Sequence, residues 1–142
     1  MDTIASLKMT PEGARKVLDA ALEASKAAGY SVSVAVCDDG GHLMAFQRTE
    51  DAELASINVA LNKARAAALM RFPTGKLSRT GNVRSDHHAL AITLAAGAEN
   101  VVTMEGGVPI EVEGHVVGGV AVSGAGKKDP DFAQAGADML KK

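Results

Sequence analysis

Hydrophobic positions change period several times along the chain, and each change marks an element. After Thr10-Pro11-Glu12, Val17, Leu18, Ala21 and Leu22 recur at helical spacing until Gly29 ends the run. A capping hydroxyl followed by a proline whose missing N–H costs nothing is a helix start. Ser31 to Cys37 alternates at period two with small uncharged residues on its second face, which predicts a central strand covered on both sides. Asp38-Asp39-Gly40-Gly41 reads as a turn and His42 to Arg48 as the returning arm of a hairpin. Leu54, Ile57, Leu61, Ala64 and Ala68 set the core stripe of a second long helix ending near Arg71, ahead of Phe72-Pro73. Beside it runs a stripe of small residues, Ser56, Ala60 and Ala67, interrupted by Lys63.

Thr74 to Arg84 is rich in Gly, Ser, Thr and Asn and carries Lys76, Arg79 and Arg84. It predicts a surface loop, and loops of this length inside a compact domain are more often functional than idle. Ser85-Asp86 caps a helix from His87 to Ala96, stopped by Gly97, and Asn100 to Met104 reads as a third strand. Glu105-Gly106-Gly107-Val108-Pro109-Ile110 describes a backbone that turns sharply and lets something approach closely. Pro109 to Glu113 and His115 to Ser123 pair around Glu113-Gly114, Gly124 to Pro130 is a turn, and Asp131 caps a terminal helix through Lys141. This order predicts one α+β domain over residues 1–142, in which an antiparallel sheet of about five strands carries helices on its faces.

Composition narrows the class. The chain is 46% hydrophobic and 23% charged, as an ordinary globular domain is, but only 3% aromatic with 15 Gly, which points to close packing of small residues and to self-association. A net charge of −2 with scattered Lys and Arg provides no footprint for a nucleic acid. Cys37 is alone and forms no internal disulfide; no leader-like start and no run of membrane-spanning length is present, so a cytoplasmic protein is expected.

The candidate chemistry centres on Glu105. A carboxylate at a strand end before two glycines serves as a general base or ligand group, or else pairs with an arginine to fix the turn; Gly106 and Gly107 are expected to offer backbone N–H groups as an anion nest. Lys63, among alanines, either faces a pocket with its pKa lowered by burial, fit to bind a carboxylate or act as a base, or snorkels to Asp38 or Glu53. Asp38 serves a ligand or the turn, and Arg48 a ligand or an ion pair. His87 and His88 point about 100° apart on a helix, and with no His-x3-His or Cys-x2-Cys spacing no metal site is expected. His87 is a candidate acid or base.

Several ordered blocks together resemble one family. They are Val34 to Arg48, Lys63-Ala64-Arg65-Ala66-Ala67, Glu105 to Ile110, Gly118 and Val122-Ser123-Gly124, and they resemble the GlcG/HbpS family of small haem-associated proteins from Thr10 to Leu140. The resemblance implies a profilin-like α/β/α fold with a five-stranded antiparallel sheet, and a homo-oligomer, an octamer or smaller ring. Members occur as haem-binding or haem-degrading proteins, as the C-terminal domain of corrinoid adenosyltransferases and as products of catabolic operons. Where relatives often read Arg-Met-Asp-Gly, this chain has Arg48-Thr49-Glu50-Asp51, and Phe72 to His88 lies outside the matched blocks.

Two functions follow as expectations. The first is a small-molecule-binding protein whose pocket is shared by Asp38, Arg48, Lys63, Glu105, Gly106 and Gly107, with haem or a related tetrapyrrole as the ligand the resemblance implies. The second is a cofactor-independent enzyme on a small anionic metabolite, with acid/base work by Glu105 and either Lys63 or His87.

Overall fold

A computed structural model describes residues 1–142. Its elements are α1 (Pro11–Ala27), β1 (Ser33–Asp38), β2 (Leu43–Arg48), α2 (Ser56–Met70), α3 (Asp86–Ala96), β3 (Gly107–Val112), β4 (His115–Ser123), a single 3₁₀ turn (Gly126–Lys128) and α4 (Asp129–Ala137). The expected caps form: Thr10 Oγ1 accepts from the Gly13 N–H at 3.0 Å and Ser85 Oγ from the His88 N–H at 3.1 Å. Thr49 Oγ1 accepts from the Val32 N–H at 2.8 Å, so one of the residues that depart from the family pattern fastens the end of β2 to the segment entering β1.

The strands order as β2-β1-β4-β3, each pair antiparallel. Alternation then sorts the side chains. Val34, Val36, Ile110, Val120 and Val122 point to one face and bury against Val17, Leu18 and Ala21 of α1 and Phe132 and Ala133 of α4. Ala35, Cys37 and Ala121 point to the other face and meet Ala60 and Ala64 of α2. The result is an α/β/α sandwich with a large-residue core on one side and a small-residue contact on the other.

Two expectations are corrected. The sheet has four strands, not five, because Asn100 to Met104 is not a strand. The N–H groups of Asn100 and Val101 both turn back to the Gly97 carbonyl, and the segment runs along Asn58, Val59 and Asn62 of α2, where no sheet edge is available. Its β-branched run has the propensity but lacks a partner. The second correction concerns α2, which buries Ala64 and Ala68 of the predicted stripe but adds the neighbouring small stripe, Ser56, Ala60, Lys63 and Ala67, leaves Ile57 and Leu61 only half-buried, and has Leu54 outside its first turn and 70% exposed. The cause is how closely the helix lies on the sheet. A Cβ on Gly119 would run into the Ala64 carbonyl, and one on Gly107 into the Lys63 carbonyl, so there is no room between them for leucines.

Candidate functional site

The glycine pair sits at the start of edge strand β3, where α2, the Thr74 segment and the start of α4 converge. Gly106 has φ +127°, a region that favours glycine, and a Cβ there would run into Lys63 Nζ and lie 2.9 Å from Asp129 Cβ. Three successive carbonyls are each held from a different element. Glu105 O accepts from Lys63 Nζ at 3.0 Å, Gly106 O from the Val122 N–H at 3.0 Å, and Gly107 O from the Thr74 N–H at 2.9 Å. Thr74 Oγ1 in turn accepts from the Gly107 N–H at 2.9 Å, so that N–H is committed within the chain and does not join an anion nest.

Lys63 is 2% exposed and its ammonium lies between the Glu105 carbonyl and Asp129 Oδ2, at 3.1 Å. Burial pushes its pKa below the usual 10.5, and the Asp129 carboxylate pulls part of the way back. Its ion-pair partner is neither Asp38 nor Glu53. Asp129 is 5% exposed, and its Oδ1 accepts from the Ala125 N–H at 2.8 Å, so both carboxylate oxygens are used. Sequence reasoning passed over Asp129 by starting the last helix at Asp131. The available signal was Asp129-Pro130, a polar residue before a proline at a helix start, the same signature as Thr10-Pro11.

Above this pinned backbone opens a groove of about 430 Å³. Gly106 and Gly107 form its floor, Phe72, Pro73, Leu77, Val83, Val108 and Pro130 its walls, and the exposed Lys76 and Glu105 stand at its rim. The Glu105 carboxylate has no ion-pair or hydrogen-bond partner in the chain, although its own carbonyl is fixed by Lys63. The segment expected to be a plain loop is a small closed hairpin. Leu77 and Val83 bridge, the Ser78 and Arg84 N–H groups donate to the Asn82 and Lys76 carbonyls at 2.8 Å each, and Arg84 Nη1 donates to the Gly75 carbonyl at 2.8 Å.

The remaining candidates lie elsewhere. Arg48 pairs with Ser33, Ser33 with Ser123, and Gly107 with the nearby Ala121. Arg48 is therefore three strands, about 14 Å, from the glycine floor at ~4.8 Å per strand. It borders a separate surface depression with Lys26, Tyr30 and Glu50. Asp38 lies at the opposite end of β1, about 17 Å from Ser33 along an extended chain. Its Oδ1 accepts from the Gly40 and His42 N–H groups at 2.9 Å each. Burial opposes its ionisation, but the His42 and Gly40 N–H groups and the His42 ring outweigh it, and its pKa falls below the usual 3.8. His87 is exposed on α3 and does not line the groove. No group of three His, Cys, Asp or Glu side chains gathers as a metal site.

A thin antiparallel sheet between helical layers, with a glycine-floored groove at its edge, defines a small α+β domain. A family model described as "Haem degrading protein HbpS-like" matches residues 9–138, and the chain belongs to that family. It is 36% identical over 116 residues to Protein GlcG of Escherichia coli strain K12, covering 81% of each chain. Among solved structures it resembles a double mutant of Streptomyces reticuli HbpS, with 33% identity, a TM-score of 0.81 and coverage of 98% and 91% of the two chains. It also shares the fold of PduOC in complex with haem, at 24% identity, TM-score 0.78 and coverage of 93% and 94%. No helix is long and apolar enough to cross a membrane.

Proposed function

We propose that this protein binds a tetrapyrrole of the haem class in the groove beside Glu105, acting as a homo-oligomeric small-molecule-binding protein. The observation that carries the reading is the groove itself, whose floor is backbone held from three sides and whose volume, about 430 Å³, falls in the range of small-molecule sites. The groove's chemistry fits the group in part by part terms. Phe72, Leu77, Val83 and Val108 offer apolar walls for a macrocycle, and Lys76 offers a cation for a propionate. No imidazole, thiolate, thioether or phenol lines the groove, so its residues would hold the macrocycle by its faces and propionates and offer the iron none of the usual axial ligands.

Haem, when bound, supplies a redox-active iron. The chain's own part is to exclude water with the hairpin wall, to seat the macrocycle on Gly106 and Gly107, and to hold Glu105 in place. Lys63 is a positioning residue in this reading, acting through the Glu105 carbonyl rather than on the ligand. Membership of a family described as haem-degrading, and an HbpS double mutant as a structural relative at 33% identity, support the ligand class.

Titration with haemin followed by absorbance tests it. The expected result is a sharp Soret band saturating near one haem per chain, lost in Leu77→Glu, which puts a charge into the groove wall, and kept in Leu7→Glu, far outside it. A broad non-saturating response, or equal binding by Leu77→Glu, would overturn the assignment.

A further inference from the structure

The side chains that commonly ligate a haem iron all sit away from the groove beside Glu105. His115 pairs with Val112 at the far end of β3, about 17 Å from Gly107 along an extended strand. His42 bonds to Asp38 at the turn after β1, His87 and His88 stand exposed on α3, and Cys37 is buried between β1 and α2. Met104 is next to Glu105 in the chain but lines a different depression, with Asn58 and Asn62 of α2. Tyr30 leans on Phe132, ring centroids 5.6 Å apart, and borders the depression at Arg48. What the groove offers instead is one acceptor and one cation. The Glu105 carboxylate and the Lys76 ammonium both stand at its rim and neither belongs to an ion pair. The Glu105 stem is confined, since a Cβ on Gly75 would lie 3.3 Å from its Cγ, and its carbonyl is fixed by Lys63 at 3.0 Å.

We infer that the groove is built for a metal-free, ring-opened tetrapyrrole rather than for haem, with the Glu105 carboxylate accepting from the ring N–H groups and Lys76 holding a propionate. The inference rests on the tetrapyrrole reading above and narrows its ligand. In haem all four ring nitrogens bond the iron and none carries a proton, so the carboxylate gives up water and gains no bond. In a closed metal-free ring the two N–H groups point at the ring's own centre, beyond the reach of a side chain. Opening the ring turns its N–H groups toward a concave edge, where one carboxylate accepts from two of them. An N–H brought against apolar walls without an acceptor loses its bonds to water, so a placed acceptor selects the ligand that carries the donor. A carboxylate selects most strongly, because a charge-assisted hydrogen bond is roughly twice as strong as a neutral one. Phe72, Leu77, Val83 and Val108 suit the pyrrole faces of either form, so the choice between them falls to Glu105.

Equilibrium dialysis of the wild-type chain against biliverdin, haemin and protoporphyrin IX tests it, with circular dichroism to confirm that the variant folds. Biliverdin is expected to bind about tenfold tighter than either closed ring. Glu105→Leu is expected to weaken biliverdin binding by about tenfold while haemin binding stays within about twofold. Haemin or protoporphyrin IX binding as tightly as biliverdin or more tightly, or a folded Glu105→Leu that keeps the biliverdin affinity, overturns the inference and leaves the tetrapyrrole reading standing. Binding of none of the three overturns both. If the variant does not fold, the ranking of the three ligands on the wild type decides alone.

Discussion

Replacing Lys63 by methionine removes the ammonium while keeping most of the side-chain volume, and it isolates what the buried ion pair does. Asp129, 5% exposed, loses the partner at 3.1 Å, and the Glu105 carbonyl loses its donor at 3.0 Å. Breaking a buried pair from one side costs about 3–5 kcal/mol, because the remaining charge stays in a poorly solvating site. Asp129 keeps its bond from the Ala125 N–H, which places Lys63→Met near the lower end, about 3 kcal/mol. That is a large share of the ~5–15 kcal/mol that holds a domain together. The double variant Lys63→Met/Asp129→Asn keeps an acceptor for the Ala125 N–H and buries no charge. It is expected to be less destabilised than the sum of its two single variants by more than about 1 kcal/mol. Urea unfolding followed by circular dichroism measures all four proteins, with a constant m-value confirming that the native state is comparable. A Lys63→Met variant within about 1 kcal/mol of wild type, or strict additivity in the cycle, would refute the reasoning.

Three further outcomes are expected. Gly119→Ala drives a methyl group into the Ala64 carbonyl, and α2 must lift from the sheet, at a cost of about 1–3 kcal/mol in the same unfolding assay; an unchanged midpoint would contradict the close approach. Asp38 has a folded pKa below its ordinary 3.8, so the unfolded chain binds more protons between the two values, and the stability it contributes is present above pH 3.8 and lost as pH falls through the folded value. Asp38→Asn therefore flattens the acid limb of the stability profile, and an identical limb would refute the turn's electrostatics. Burial pushes the Cys37 thiol to about 11, with Arg65 opposing and Asp38 adding, so a thiol reagent at pH 8 is expected to find no reactive cysteine until denaturant is added. Rapid labelling of the native protein would contradict that.

Local signals carried most of the architecture. Thr10-Pro11, Ser85 and Gly97 mark helix ends through bonds made within a few residues, and the alternation of Ser31 to Cys37 placed a central strand because both of its faces are covered. The misread elements depend on partners distant in sequence. Asn100 to Met104 bonds back to Gly97 and runs along α2 instead of joining a sheet edge, and the inward face of α2 is decided by Gly107 and Gly119 beneath it. Period alone placed Leu54, Ile57 and Leu61 inward with Ala64 and Ala68, and close backbone contact kept the two alanines and replaced the larger residues by Ser56, Ala60, Lys63 and Ala67. The site divides the same way. Glu105-Gly106-Gly107 stood out as a run, whereas Asp129 meets Lys63 across 66 positions and Thr74 meets Gly107 across 33, and the two had only a weak helix-start signal or none. Asp38 and Arg48 looked close to the pocket because they belong to one hairpin, yet strand register sends them to the other end and the other edge of the sheet.

The most direct measurement is an amide chemical-shift map of the protein titrated with zinc protoporphyrin, a diamagnetic stand-in for haem. The account predicts shifts concentrated at Gly75, Lys76 and Leu77, at Val83, and at Glu105 to Val108. Shifts centred on Arg48 and Glu50, or spread evenly over the surface with none at Gly106 and Gly107, would contradict it.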